Sequence, residues 1–195
     1  ASPPAWAAPV ALGHLLDLPR NAHPRPATAN ARANPQIRAP ANTIVITSCA
    51  DDGSPGTLRF AVETAAVSGD TIDASQLSCS TITLQSGAIA VAEDSLTING
   101  PANGQLEVTA NLQSRVFTHT GSGALTLQNL YLFEGKIDTT GVAEGGCIYS
   151  LGAVALIDTK VKYCRTYSSS DVAFGGAIYA AGSVGLNGST IAVAT

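Results

Sequence analysis

Acidic side chains are the residues of this sequence with the clearest potential for hydrolytic chemistry, because a pair of carboxylates can serve as acid and base at a glycosidic bond. Glu107 and Asp138 are separated by about the length of one sequence repeat, and both lie in segments that we interpret as loops. Asp51 and Asp52 lie among Ala, Gly, Ser and Pro residues, where turn chemistry accounts for both. We therefore predict no catalytic pair in this chain.

The histidine, serine and cysteine residues also provide no candidate catalytic or metal site. His119 has no second His or Cys at metal-ligand spacing, and we interpret it as a surface or turn histidine. No Ser-His-Asp grouping and no G-x-S-x-G turn is visible. The four cysteines lack any C-x-x-C spacing, which argues against a zinc site. The sequence predicts no catalytic residue, no metal ion and no cofactor.

A repeated segment indicates which elements must position these residues. Residues 145–161 read GGCIYSLGAVALIDTKV and residues 175–191 read GGAIYAAGSVGLNGSTI, so one pattern returns after 30 positions. The same period, to within one position, extends backwards through two apolar series, which are Leu96, Leu125, Val154, Val184 and Ile98, Leu127, Leu156, Leu186. A chain that places an apolar residue at every such step stacks like residues on like.

Short strands build each repeat. Apolar and polar or small residues alternate within it, as in Leu125-Thr126-Leu127, which is the two-residue period of a strand. Gly, Asn, Asp and Ser close the strands with turns. Leucine-rich repeats have a similar length but carry a helical segment on the outer face, which these repeats lack. We predict an all-β parallel β-helix of about five coils of 29–30 residues in residues 41–195.

One helical segment precedes the first coil. Four apolar residues share one helical face: Leu58, Ala61, Val62 and Ala65. Thr57 is placed to cap this helix at its amino-terminal end. Because an amphipathic helix laid across the open end of a solenoid protects unpaired backbone, we assign residues 43–68 as an N-terminal cap.

Residues 1–40 differ in composition from the remaining chain. They hold eight of the ten prolines, four arginines and one acidic residue, which predicts a disordered linker or pro-segment. Residues 41–195 carry 6 basic and 13 acidic side chains and therefore a net charge of −7, which argues against nucleic acid as a partner. No run approaches the 18 apolar residues of a transmembrane helix, so none is predicted.

The run SPGTLRFAV at residues 54–62 is followed by SGDTID, STITL and LTINGP. These runs resemble the opening of secreted bacterial β-helix proteins with the pectate-lyase-like fold. The GGAI at residues 175–178 is similar to the tetrapeptide repeated in polymorphic outer-membrane proteins and autotransporter passengers. The resemblance covers residues 43–195. It implies a right-handed coil, export to the cell surface or outer membrane, and a passenger that continues beyond Thr195.

The even number of cysteines fits disulfide bonds in an exported protein. Cys49 and Cys79 lie one coil period apart, and equivalent positions on neighbouring coils are within disulfide reach. We favour the pairs Cys49–Cys79 and Cys147–Cys164 among the three possible connectivities. Free buried thiols that pack as small apolar groups are the other interpretation.

Tyr149 and Tyr179 are also one period apart and are predicted to stack as a ladder, which contacts a sugar if it faces outward. Together these features predict a surface-associated passenger or adhesin with a structural or binding role, whose partner is carbohydrate or a cell-surface protein. The alternative is a polysaccharide lyase or glycoside hydrolase whose catalytic coils lie beyond residue 195. A purely structural layer protein is not separated from the first prediction by sequence.

Overall fold

The computed structural model describes residues 41–102 and 106–192. These residues form a β-solenoid of about five stacked coils with one short helical segment, which confirms the predicted fold class. Neighbouring strands are parallel, and each pairs with its equivalent one coil later. The linker predicted at residues 1–40 lies outside the described residues.

Three sheets, each taking strands from successive coils, form the walls of the solenoid. Sheet 1 contains β1 (Thr43–Val45), β2 (Thr71–Asp73), β5 (Leu96–Asn99), β8 (Ala124–Gln128), β13 (Ala153–Ile157) and β18 (Val184–Asn187). Sheet 2 contains β3 (Thr81–Thr83), β6 (Leu106–Thr109), β9 (Leu130–Phe133), β14 (Lys160–Lys162) and β19 (Thr190–Ala192). Sheet 3 contains β4 (Ile89–Val91), β7 (Phe117–His119), β12 (Ile148–Ser150) and β17 (Ile178–Ala180). We number coils 1 to 5 from β2, β5, β8, β13 and β18.

Four further strands, which we call the lobe, project from coils 3 and 4. Strand β10 (Lys136–Thr139) pairs with β15 (Arg165–Ser168), and β11 (Ala143–Glu144) pairs with β16 (Ala173–Phe174). They lie between the sheet 2 and sheet 3 strands of their coils. In coil 2, residues 110–116 connect the sheet 2 strand to the sheet 3 strand without forming a strand of their own. The lobe strands of coil 3 therefore have no equivalent strand in coil 2.

The apolar series that the sequence predicts to stack are in register. Their members pair in sheet 1 in the predicted order, which is Leu96, Leu125, Val154, Val184 and Ile98, Leu127, Leu156, Leu186. Coil 1 departs from the predicted length, since Thr71 pairs with Thr97 after 26 positions. Much of the difference lies in the connection between β3 and β4, which has five residues where the equivalent connection of coil 2 has seven. The inward residues form one continuous apolar core.

The helical segment of the cap begins as predicted. It consists of α1 (Leu58–Phe60), which continues into a π-helical turn over Ala61–Ala65. The side-chain oxygen of Thr57 accepts a hydrogen bond from the backbone N–H of Phe60 at 3.2 Å. Thr57 therefore satisfies one of the backbone donors that a helix leaves unpaired at its start.

The buried face of this helical segment differs from the prediction at one position. Three of the four predicted residues are buried: Leu58, Ala61 and Val62. Ala65, the fourth, is exposed, and Ala66 packs against the core in its place. The reason is the π turn, which closes with a bond from the Ala66 N–H to the Ala61 carbonyl at 2.9 Å. A π turn is wider than an α turn, so the buried face advances by one residue.

Asp51 is buried, so the turn interpretation was wrong for this residue. It is 3% exposed, and its two carboxylate oxygens accept hydrogen bonds from Nε and Nη2 of Arg59, each at 2.9 Å. The backbone N–H groups of Gln85 and Ser86 donate to the same carboxylate at 2.6 and 3.2 Å. Asp52 is the exposed turn residue that the sequence predicts.

Arg59 extends this network into coil 1. Its Nη2 donates to the carbonyl oxygen of Gly87 at 2.7 Å, and its Nη1 donates to the carbonyl oxygen of Ala88 at 3.2 Å. Nη1 also donates to the carboxylate of Glu63, which in turn accepts from the N–H of Ala90. The guanidinium therefore joins the helical segment to the connection between β3 and β4, and it fixes the cap on the first coil.

Both predicted disulfides are present. Cys49 and Cys79 are 6.3 Å apart at their Cα atoms, and Cys147 and Cys164 are 5.3 Å apart. The first bond joins the cap to coil 1, and the second lies at the base of the lobe. Disulfides of this kind indicate a protein that folds in an oxidising compartment, as extracellular proteins do. Among the helices described, none has the length and apolar character needed to cross a membrane.

Two structural requirements explain the glycine pair that the sequence repeats at 145–146 and 175–176. Gly145 and Gly175 have φ of 62° and 56°, in the left-handed region that glycine adopts most easily. At Gly146, a Cβ atom would lie 2.5 Å from the carbonyl oxygens of both Arg165 and Gly176. Only glycine therefore allows the backbone of coils 3 and 4 to approach this closely at the base of the lobe.

Replacing Gly146 with alanine is expected to lower the free energy of unfolding by about 2–3 kcal/mol, because the added methyl group meets backbone atoms that cannot move aside. Denaturant unfolding monitored by circular dichroism measures this loss. Gly141→Ala is the matched control, since a Cβ atom at Gly141 would have no described neighbour within 4 Å apart from the adjoining residues of the chain. Equal stability of the two variants would contradict the close-approach explanation.

Candidate binding clefts beside the lobe

The acidic pair that the sequence singles out is not assembled. Glu107 and Asp138 lie on strands rather than in loops, Glu107 on β6 in sheet 2 and Asp138 on β10 in the lobe. Glu107 instead lies near Glu134, and partial burial together with that carboxylate raises the pKa of Glu107. Within residues 41–102 and 106–192, no group of three His, Cys, Asp or Glu side chains is arranged to hold a metal ion.

His119 is fully buried, so its interpretation as a surface histidine was wrong. Its Nδ1 is 2.7 Å from Oγ of Ser150, and its Nε2 is 3.0 Å from the carbonyl oxygen of Glu93. Since a carbonyl oxygen only accepts, Nε2 carries the proton in the neutral ring, and Nδ1 then accepts from Ser150. Oγ of Ser150 also accepts from the N–H of Gly152. Both side chains have no exposed surface, so this pair links neighbouring coils and does not face a substrate.

Two clefts flank strand β10 of the lobe. Cleft 1 has a volume of about 360 Å³ and lies between β10 and the coil 2 segment that includes Ser114 and Arg115. Cleft 2 has a volume of about 430 Å³ and extends to Arg165 on the neighbouring strand β15. Lys136 and Asp138 line both clefts. Volumes of this size suit a short segment of a peptide or glycan chain.

Positive charge is concentrated at these clefts. Arg115, Lys136 and Arg165 line them, and they are three of the six basic residues of residues 41–195. Lys136 and Arg165 occupy paired positions on neighbouring strands, where like charges repel. The only ion pair between them and a described carboxylate joins Lys136 to Asp138 at 3.0 Å, and both side chains are exposed. In a domain of net negative charge, the clefts therefore attract anionic groups.

Arg115 forms an ordered wall of cleft 1. Its Nε donates to the carbonyl oxygens of Glu144 and Gly145, both at 3.0 Å, and its Nη2 donates to the Glu144 carbonyl at 2.9 Å. Its guanidinium carbon lies over the ring of Tyr149, 5.2 Å from the centroid. Burial lowers the pKa of Arg115, while nearby Tyr149 and Glu144 oppose that shift. The side chain remains charged at neutral pH, because arginine loses its proton only in strongly basic solution.

No known protein family, curated protein or solved structure matches this chain. The geometry and charge of the clefts are therefore the observations that bear on its function.

Tyr149 and Tyr179 stack as the sequence predicts. Their ring centroids are 5.4 Å apart and their planes differ by 9°. They are paired in sheet 3 between inward-facing neighbours, so both rings project outward. One face of Tyr149 meets Arg115 and the other meets Tyr179, which leaves the ring edges and one face of Tyr179 for contact. Glu144 raises the pKa of Tyr179. A ligand contact by this ladder stays a prediction.

The clefts were not found by sequence reasoning, although one signal was present. The cations Lys136 and Arg165, which follow Gly135 and Cys164, lie one coil period apart in the sequence. A base that recurs after one coil period is the sequence signal for this site, whereas recurring acids are the signal for an enzyme.

Proposed function

We propose that this protein is an exported, surface-associated β-solenoid of the passenger or adhesin type that binds glycans or proteins through the lobe clefts. The observation that supports the proposal best is the concentration of Arg115, Lys136 and Arg165 at two adjoining clefts of a domain that is otherwise acidic. Cationic clefts of this kind draw in anionic partners and orient them.

The scaffold of the lobe is suited to binding because it is held in place before a ligand arrives. The disulfide Cys147–Cys164 joins coils 3 and 4 at its base, and the Arg115 guanidinium fixes the backbone at Glu144 and Gly145. A preorganised site loses little conformational entropy on binding. Export is supported by the two disulfides, and association with an outer membrane or cell surface is supported by the resemblance of the cap and the GGAI run.

Removing the two strand cations of the lobe is expected to weaken ligand binding at least about tenfold, equivalent to about 1.4 kcal/mol. The full chain is screened against polyuronides, neutral glycans and cell-surface proteins, with and without Ca²⁺. Each ligand found is then titrated against the double variant Lys136→Gln/Arg165→Gln. The matched control is Lys160→Gln/Lys162→Gln, which removes the same charge from sheet 2. Equal weakening in both variants, or no ligand at all, would count against the lobe as the binding site.

The enzyme alternative keeps one observation in its favour. Glu107 has a raised pKa beside Glu134 and Tyr131 on the outer side of sheet 2, and a carboxyl group of raised pKa is a feature of acid catalysis. The same glycan panel is assayed for unsaturated or reducing ends. Their release, and its loss in Glu107→Gln, would replace the binding proposal with a polysaccharide-degrading activity.

A further inference from the structure

Strand β10 is paired along one edge only. The N–H of Arg165 donates to the carbonyl of Gly135 at 2.9 Å, and the N–H of Ser169 donates to the carbonyl of Thr139 at 3.1 Å. These bonds fix which residues of β10 face β15. Because backbone groups alternate between the two edges of a strand, the intervening Ile137 also faces β15.

The other edge of β10 faces cleft 1. The same alternation directs the backbone N–H and C=O of Lys136 and Asp138 away from β15. The hydrogen bond from the Lys136 N–H to the Ser114 carbonyl, at 2.7 Å, runs in this direction. Further along the edge, no strand among the described residues pairs with Asp138, since β10 and β15 form a two-stranded sheet. Its N–H and C=O are directed into the cleft.

The neighbouring edge of the lobe is covered, which makes the open edge of β10 distinctive. At β11 the Arg115 guanidinium donates to the Glu144 and Gly145 carbonyls, so a side chain of coil 2 takes the place of a strand. Exposed edges are normally covered in this way or paired, because they otherwise recruit another chain. Coil 2 provides no such cover at Asp138. Because coil 2 has no strand beside β10, one edge of β10 remains able to pair.

An extended polypeptide fits this edge better than a glycan does. The four residues of β10 span about 13 Å, and a peptide offers N–H and C=O groups at the matching spacing, which a sugar chain lacks. Addition of a peptide strand to an open sheet edge is an established mode of recognition. Two cations, Lys136 and Arg115, line the same cleft with one carboxylate, Asp138, which pairs with Lys136. The charge of the lining is therefore still positive, and acidic side chains on the added strand complement it.

We propose that the open edge of β10 docks an extended acidic polypeptide segment, which adds to the lobe as a strand in cleft 1. This inference rests on the proposed binding role of the lobe and names its partner. Backbone hydrogen bonds to Asp138 align the segment, and Lys136 and Arg115 select its charge.

The test uses the full chain and a fluorescent peptide of about eight residues in which Glu and Val alternate. Asp138→Pro removes the N–H that faces the cleft and leaves the β15 ladder intact, because the ladder uses Ile137 and Thr139. Asp138→Ala keeps that N–H and is the matched control. Anisotropy titration is expected to show binding at least about tenfold weaker in the proline variant than in the alanine variant. Methylating alternate backbone nitrogens of the peptide is expected to weaken binding similarly.

A second measurement does not depend on the proline variant folding. In the unmodified protein, the peptide is expected to slow hydrogen exchange of the Asp138 amide. Unchanged exchange, equal affinity of the two Asp138 variants, or equal affinity of the methylated peptide would overturn the inference. A glycan or folded protein that binds the lobe while the peptide does not would also overturn it and would leave the proposed function standing. If none of these ligands binds, the proposed function fails as well.

Discussion

Replacing Asp51 with asparagine is expected to lower the free energy of unfolding by about 3–5 kcal/mol, because it removes one partner of a buried ion pair. One Asp51 oxygen accepts from Arg59, and the other accepts from Arg59, Gln85 and Ser86. An amide NH₂ at either position turns a donor toward N–H groups that need an acceptor. The buried guanidinium of Arg59 then keeps only Glu63, a partly exposed residue, as a carboxylate partner among the described residues.

Asp52→Asn is the matched control for this substitution. Asp52 is adjacent in sequence but exposed, and it accepts hydrogen bonds only from Ser54 among the described residues. Its replacement is expected to leave the denaturant midpoint nearly unchanged. Hydrogen exchange locates the damage, since the Asp51 variant should expose the amides of residues 58–65 before those of coils 3 and 4. Similar midpoints for the two variants would show that the buried network does not hold the cap.

The contrast between these two aspartates shows where sequence reasoning reaches its limit. Both residues lie in one turn-forming segment, and local chemistry treats them alike. They differ because Arg59 folds back onto Asp51 and because Gln85 and Ser86, more than 30 positions away, donate to the same carboxylate. A contact of that range leaves no local pattern in the sequence.

The register between coils could be predicted because the residues that stack recur in the sequence at a fixed spacing. Leu125, Val154 and Val184 occupy equivalent positions, and each step is visible in the sequence. The same alternation indicates the position of His119. Phe117 points into the core, and a residue two positions along a strand points the same way, so His119 is inward. At this position the strand periodicity is a better guide to burial than the general preference of histidine for the surface.

The lobe was beyond prediction for a different reason. The sheet formed by β10 and β15 contains only these two strands, so no long series of equivalent residues marks it in the sequence. The lobe segments of coils 3 and 4 differ from each other in composition. Their strands are also too short to show an alternating pattern of apolar and polar residues. The cations at Lys136 and Arg165 repeat once, which is a weak signal until the cleft between coil 2 and β10 gives it a position.

Removing the Cys49–Cys79 disulfide, as Cys49→Ala/Cys79→Ala, is expected to lower the free energy of unfolding by about 3–4 kcal/mol. The bond closes a 30-residue separation, and opening it restores conformational freedom to the unfolded chain. Denaturant unfolding under oxidising conditions measures the loss. Cys147→Ala/Cys164→Ala is the informative comparison, because its 17-residue separation predicts a loss of about 3 kcal/mol by the same reasoning.

The two disulfide variants differ in which part of the molecule they loosen. Cys49–Cys79 holds the cap on coil 1, so its removal should leave ligand binding at the lobe unchanged while the protein remains folded. Cys147–Cys164 lies at the base of the lobe, and Cys164 lines cleft 2, so its removal should weaken binding as well as stability. Binding that falls equally in both variants at matched fractions of folded protein would contradict the separation of cap and lobe. A selective loss in the Cys147–Cys164 variant would connect ligand affinity to the rigidity of the lobe, which is what a preorganised site requires.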